Sequence, residues 1–328
     1  MTEAVDALVA RIRSKGVGTS REINPFWSNQ LRRLGKAVAR NGDHLTLRQI
    51  RDALGYNASP LPEGVLTNRR RPDWPELMRA VQAGEMTGPG NVVEHIGALS
   101  FLQRMEVFEE YLGWVDGLQL MSAMDLARHY WYGRKLVRAR GKDAGPTPCL
   151  EIGSGSGQFA CRLVELGMVS HYVMVDLPEM LLNAMLLVRE RAPTAEVRYG
   201  ETPDFDRDGP VFWMLETSQI RQVPDRSIGA ALNFYSFMEM DDEVRDFYIG
   251  EIYRTAAPRC VFYNVNRRQA KMTRRNGAVF ENNPLRYPYR DSDEIVEWEP
   301  DDFQQSIRSD RFVAPTASFA VSRIARVR

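Results

Sequence analysis

Apolar positions in the first sixty residues recur at helical spacing: Val5, Leu8, Val9 and Ile12, then Leu31, Leu34 and Val38. A single apolar stripe of this kind predicts helices that pack on one side and face water on the other. Between Asn57 and Asn91 the pattern lapses. Prolines at 60, 62, 72, 75 and 89, and the run Arg69-Arg70-Arg71, predict irregular chain there. Helical spacing returns from about Val92 to Leu112 and again from Ser122 to Arg138. The stretch GKDAGPTP, residues 141–148, then reads as a linker, because glycine and proline break periodicity.

Past the linker, short apolar runs alternate with amphipathic stretches. The runs predict strands over Cys149–Ile152, His171–Val175, Val211–Leu215, Ala230–Phe234 and Cys260–Val265. Helices are expected over Gly157–Leu166, Met180–Arg191 and Asp242–Ala256, with the tail Ala317–Val327 as a last long strand. Such alternation implies right-handed crossovers and a mainly parallel sheet covered on both faces. The expected organisation is a helical N-terminal cap over residues 1–145, shaping substrate recognition, and an α/β Rossmann-like domain over 146–328.

Composition narrows the function classes. Apolar residues make up 44% and charged residues 26%, which is a globular and not a disordered composition. Lysine plus arginine equals aspartate plus glutamate at 43 each, so charge gives no reason to expect nucleic acid as the partner. Cys149, Cys161 and Cys260 lie far apart and match no metal-ligand spacing, which fits a reduced, cytoplasmic protein. The opening MTEAVDALVARIRSKG lacks the apolar core of a signal peptide, and no later run is long enough for a membrane span. A small-molecule substrate is the expected partner, with a homo-oligomer compatible with everything above.

The chemistry gathers at Cys149-Leu-Glu-Ile-Gly-Ser-Gly-Ser-Gly-Gln-Phe-Ala160. Gly153, Gly155 and Gly157 fall between the first predicted strand and the first helix of the α/β half. In open parallel sheets ligands bind at that place, above the carboxyl ends of the strands. The helix that follows presents free N–H groups to an anionic group. Glu151, two residues before the first glycine, is placed to reach a ligand's amino group, directly or through water. Asp176 ends the second strand in Tyr-Val-Met-Val-Asp-Leu-Pro-Glu, at the spacing of an acid that grips ribose hydroxyls. A nicotinamide dinucleotide fits the same layout, but its fingerprint puts the third small residue at position 158. Here that residue is Gln158 and the glycine comes one position early, which argues against a dinucleotide, and Glu151 before the loop suits a ligand with a cationic amino group.

Glu-Ile-Gly-Ser-Gly-Ser-Gly resembles the first motif of class I S-adenosylmethionine-dependent methyltransferases. Residues 125–270 resemble, more narrowly, the sugar O-methyltransferases of bacterial polysaccharide and natural-product clusters. Three segments carry that likeness: Val175-Asp-Leu-Pro-Glu179, Asn233-Phe-Tyr-Ser-Phe-Met-Glu-Met240 and Tyr263-Asn-Val-Asn-Arg267. The resemblance implies that Gly153, Gly155 and Asp176 bind S-adenosylmethionine, and that Asn233 faces the transferred methyl and the substrate. Ser154, Gly157, Leu177 and Glu151 complete the expected cofactor set. Thr217 and Ser218, with Gln219, follow the third strand, where such enzymes place adenine contacts. Met238 stands where the family usually carries a glutamine or similar polar residue.

Two residues are candidates for removing the acceptor proton. Glu239 lies just past the fourth strand and serves either as general base or as a charge near the start of the helix over Asp242–Ala256. Asp241 and Asp242 suit the capping role better, since they immediately precede that helix. His129, on the helix leading into the α/β half, titrates near neutral pH in its unperturbed form. Tyr130 and Tyr132 beside it are read equally as cofactor contacts or core, His95 is a weaker candidate, and Arg69–Arg71 suit a solvated loop or a substrate phosphate. No acid cluster suggests a metal. The sequence therefore points to O-methylation of a sugar or glycosylated metabolite. N- or C-methylation of a non-sugar natural product, or a non-catalytic cofactor-binding protein, are the alternatives.

Overall fold

The computed structural model describes residues 2–15, 25–41, 46, 49–50, 53, 98, 101–115, 123–141, 144–268, 270–273, 279–308 and 320–328. The expected irregular segment from 57 to 91, with Arg69–Arg71, and His95 lie outside them. The chain forms two compact units. One comprises residues 1–55, 137–300 and 318–328; the other comprises 56–136 and 301–317. Residues 1–55 group with the sheet, and the chain passes back into that unit at Val137.

The first unit is built on an eight-stranded sheet. Its strands are β1 (Thr147–Ile152), β2 (Val169–Asp176), β3 (Glu196–Tyr199), β4 (Val211–Glu216), β5 (Ile228–Phe234), β6 (Ala256–Arg267), β9 (Glu294–Pro300) and β10 (Ala320–Arg326). They are ordered β3-β4-β2-β1-β5-β6-β10-β9. The first six are mutually parallel, and β10 runs antiparallel to both β6 and β9. A separate hairpin pairs β7 (Ala270–Thr273) with β8 (Val279–Asn282). This is the expected Rossmann-like sheet. Strand order reverses at β1, which lies between β2 and β5, so the ends of these three strands open a crevice at the switch point.

Burial explains why these segments are strands. All six residues of β4 are buried, as a central parallel strand covered on both faces requires. The stripe read from the N-terminus is real: Val5, Leu8, Val9 and Ile12 of α1 (Thr2–Lys15), and Leu31, Leu34 and Val38 of α2 (Pro25–Asn41), are all buried. The sheet's own helices are Gln158–Glu165, Pro178–Arg191 and Asp242–Thr255. Helix α1 packs against Pro178–Arg191 and β3.

In the second unit, the residues up to Leu136 of the helix Ala123–Arg140 carry the aromatic core. Trp131 meets Phe101 edge-on with ring centroids 5.0 Å apart, and Tyr111 meets Tyr130 at 5.5 Å. Tyr132 donates to Asp301 at 3.0 Å and Tyr130 is held by Arg134 at 3.2 Å. Both tyrosines are buried.

The antiparallel end of the sheet is fastened by a buried ion pair. Arg323 on β10 is 1% exposed and donates to Asp293 at 2.7 Å. Tyr253 donates to the same carboxylate oxygen at 2.6 Å, and the Tyr289 ring centroid lies 3.8 Å from the guanidinium carbon. Removing the cation would leave Asp293 buried and uncompensated, which costs about 3–5 kcal/mol. Arg323→Met should lose stability of that order in urea unfolding. Arg323→Met with Asp293→Asn should recover a large part of it, and equal losses for the single and double variants would contradict this account.

Candidate functional site

The glycine loop runs from the end of β1 into the helix Gln158–Glu165, and each glycine has its own reason to be there. A Cβ on Gly153 would stand 2.2 Å from the Ser236 hydroxyl oxygen, so the loop lies directly against the β5 end. A Cβ on Gly157 would stand 2.8 Å from the Ala184 methyl, which lets the loop pack on the helix Pro178–Arg191. Gly155, at φ +57°, has nothing within 4 Å of where its Cβ would be, so the backbone there borders open space. No side chain caps the helix at Gly157, and its first N–H groups face the loop.

Asp176 holds this loop. One carboxylate oxygen accepts from the Gly155 N–H at 2.8 Å, and the other accepts from the Leu177 N–H at 2.7 Å. Burial pushes its carboxyl up to about 7, against the lowering by those two amides and with a further rise from Glu179. Glu151 on β1 is 4% exposed and accepts from the Tyr172 hydroxyl at 2.8 Å. Burial lifts its carboxyl to about 8; the Tyr172 bond opposes this and the Asp176 charge adds to it. Glu151, Ser154, Asp176 and Leu177 thus converge with the three glycines on the carboxyl ends of β1 and β2. A buried carboxyl lifted this far is at rest as an acid, and a cation beside it would favour ionisation.

On the far side of β2, in register with Asp176, β4 ends in Glu216. The 3₁₀ turn Thr217–Gln222 follows, closed by Gln219, whose side chain accepts from the Glu216 N–H at 2.8 Å. Thr217 is half-buried and Ser218 exposed. Glu216 itself was not among the residues expected from the sequence.

Asn233 is turned inward at the end of β5. It is 0% exposed, and its amide donates to the Ile152 carbonyl at 2.9 Å. Its Oδ1 accepts from Asn266 at 2.8 Å. Ser236 also donates to Ile152 at 2.9 Å, and Asn266 accepts from the Met238 N–H at 3.1 Å. Asn282 donates to the Phe237 carbonyl. These amides tie the segment after β5 to the root of the glycine loop. Between them Tyr235 is held at φ +67°, a strained value for a tyrosine, with its N–H on the Val265 carbonyl at 2.8 Å. Asn266 and Asn282, which the sequence reading missed, carry no local sign of this role because their partners are 28 to 45 residues away.

Glu239 closes the 3₁₀ turn Phe237–Glu239, half-buried, with its N–H on the Ser236 carbonyl at 3.0 Å. Asp241 occupies the N-cap position of Asp242–Thr255, but its side chain makes no capping bond; Asp242 instead pairs with Arg245 at 2.6 Å. The expected capping by these two acids is therefore positional only. His129 belongs to the second unit, where burial and then Arg128 push it down to about 3, leaving it neutral at physiological pH and a weak base. Cys149, Cys161 and Cys260 are buried free thiols. Among the described residues no group of three or more His, Cys, Asp or Glu side chains is arranged to hold a metal, and no helix is long and apolar enough to cross a membrane.

No protein-family model and no curated protein matches the chain. Solved structures similar to it include the [4+2]-cyclase SpnF, at 16% identity over 63% of this chain and 82% of that one, with a TM-score of 0.43. The N-methyltransferase NodS from Bradyrhizobium japonicum, in complex with S-adenosylhomocysteine, is 13% identical over 61% of this chain and 85% of that one, with a TM-score of 0.40. At these scores the fold assignment stands on the strand order and register themselves.

The two raised carboxyls set a direction for pH dependence. Each binds its proton more tightly folded than unfolded, since ordinary values are 4.5 for Glu151 and 3.8 for Asp176. Their contribution to stability is therefore greatest at acid pH, falls as pH rises from about 4, and is fully lost above about 8. Melting temperatures of the unliganded protein and of Glu151→Gln should accordingly diverge between pH 5 and 8, with the variant gaining relative to the parent. Parallel curves would show that Glu151 is already ionised in the folded protein.

Proposed function

We propose that the chain is an S-adenosylmethionine-dependent methyltransferase that acts on a hydroxyl of a sugar or glycosylated metabolite. The observation that carries the first part is the Asp176–Gly155 bond at the switch point. It supports a reading in which Asp176 takes the ribose hydroxyls, the bare backbone at Gly155 takes the amino-acid end and the buried Glu151 takes the ammonium. Among the residues present, Glu151, Gly153, Ser154, Gly155, Gly157, Asp176 and Leu177 fit that cofactor. Thr217 and Ser218 sit at the end of β4, where the adenine would reach. The sugar acceptor rests on the likeness of the three segments around Asp176, Asn233 and Asn264.

When bound, the cofactor supplies a methyl on a sulfonium, already joined to a good leaving group. The protein's work is then to align the acceptor oxygen with that methyl and to exclude water. As the oxygen–carbon bond forms and the carbon–sulfur bond breaks, the hydroxyl proton must leave. Glu239, at the end of the segment held by Asn233 and Asn266, takes that proton. Asn233 acts as a positioning residue, because it fixes the segment without facing the acceptor. His129, poorly basic where it stands, is the second choice.

Asp176→Ala removes both the ribose acceptor and the tether of the loop. Each charge-assisted hydrogen bond lost is worth roughly 1.5–3 kcal/mol, so calorimetric affinity for S-adenosylhomocysteine should fall by at least about tenfold. Unchanged affinity in a folded variant would put the ribose elsewhere. Transfer of labelled methyl to a panel of sugars and nucleotide sugars tests the acceptor, and transfer only to amines or carbon acids would favour the alternative chemistry. Glu239→Gln should keep cofactor affinity and lose turnover by roughly 10²–10⁴-fold. Near-normal turnover with a lowered melting temperature would assign Glu239 to the neighbouring helix instead.

A further inference from the structure

Four acids stand at the ends of neighbouring elements: Glu151 at the end of β1, Asp176 at the end of β2, Glu179 in the first turn of Pro178–Arg191, and Glu216 at the end of β4. Each raises the next inward, with Glu216 acting on Glu179, Glu179 on Asp176, and Asp176 on Glu151. Glu216 lies in register with Asp176 on the neighbouring strand, so a change of charge at Glu216 would be felt at the ribose acid. A cation that meets the outer end comes from 205 residues away in sequence.

Arg11 of helix α1 grips Glu216 with both arms, Nε to Oε1 at 2.8 Å and Nη2 to Oε2 at 3.0 Å. Tyr199 donates to the same Oε1 at 2.7 Å. The fork matches the carboxylate geometry in a way a lysine cannot reproduce. Glu216 is 10% exposed in its side chain and Arg11 31%, so the pair is shielded on one side only. Nearer the start of α1, Ala4 and Ala7 border a groove of about 470 Å³ against Val197 and Tyr199 and do not fill it. The apolar stripe of α1 supplies its burial, and Arg11 supplies a directional bond to the site.

We propose that Arg11 is a positioning residue for the cofactor site: through Glu216 it fastens the N-terminal helix to the end of β4 and balances the charge there. The N-terminal helix then belongs to the nucleotide side of the site and not to acceptor selection. This rests on the cofactor reading above, and the experiment separates the two.

Full-length protein is titrated with S-adenosylhomocysteine in a calorimeter, alongside thermal denaturation, for the parent, Arg11→Met, Arg11→Lys and the double variant Arg11→Met with Glu216→Gln. Arg11→Met should weaken binding by on the order of tenfold, and Arg11→Lys by less. The double variant should recover most of the affinity, because the carboxylate that Arg11 grips is then removed as well. A role confined to holding the helix would lower the melting temperature of both Met variants and leave affinity unchanged in each, which would overturn the proposal. If Arg11→Met does not fold, the lysine and double variants decide on the same criterion. Binding by the parent with equal affinity across the variants sinks Arg11 alone, whereas no binding by the parent sinks the cofactor reading and this proposal together.

Discussion

The bond between Asp176 and the Gly155 N–H is the constraint on which the site depends. A loop with three glycines at positive φ has many conformations open to it. One carboxylate at the end of β2 selects a single one, and does so at the place where the sheet reverses direction. Its cost is a buried carboxyl with a raised pKa, set beside a second buried acid, Glu151. Such an arrangement opposes stability in the unliganded protein and suits a partner that brings hydroxyls and a cation.

The other wall is built from amides. Asn233, Asn266 and Asn282 carry no charge and are fully buried, so their hydrogen bonds fix the segment Tyr235–Met240 without adding to the negative potential of the crevice. The segment that leads to Glu239 is thereby held by neutral, directional contacts. That matters for methyl transfer, where alignment of the reacting atoms contributes much of the acceleration.

Which parts could be read from the chain follows from the range of the interactions. The strands β1, β2, β4 and β5 are buried on both faces and announce themselves as apolar runs; the stripe of α1 does so by its spacing. Glu196–Tyr199 and Glu294–Pro300 were not foreseen because they are sheet edges. All their residues except Val197 are half-buried or exposed, and Ile295, Val296 and Trp298 of the second strand are exposed. The glycine loop and Asp176 were legible because their spacing is short and fixed by the strand–loop–helix geometry. Asn233 was located at the end of β5, but only the fold shows that Ile152 and Asn266 bond its amide. Arg11 and Glu216 were invisible for the same reason: a pair 205 residues apart leaves no local pattern.

The central claim is that the crevice at the ends of β1 and β2 is shaped for S-adenosylmethionine and not for a dinucleotide. Calorimetric titration of the purified protein with S-adenosylhomocysteine and, separately, with NAD at the same concentrations tests this most directly. The account predicts saturable binding of S-adenosylhomocysteine and no heat from NAD. Tight NAD binding, with S-adenosylhomocysteine silent, would contradict it.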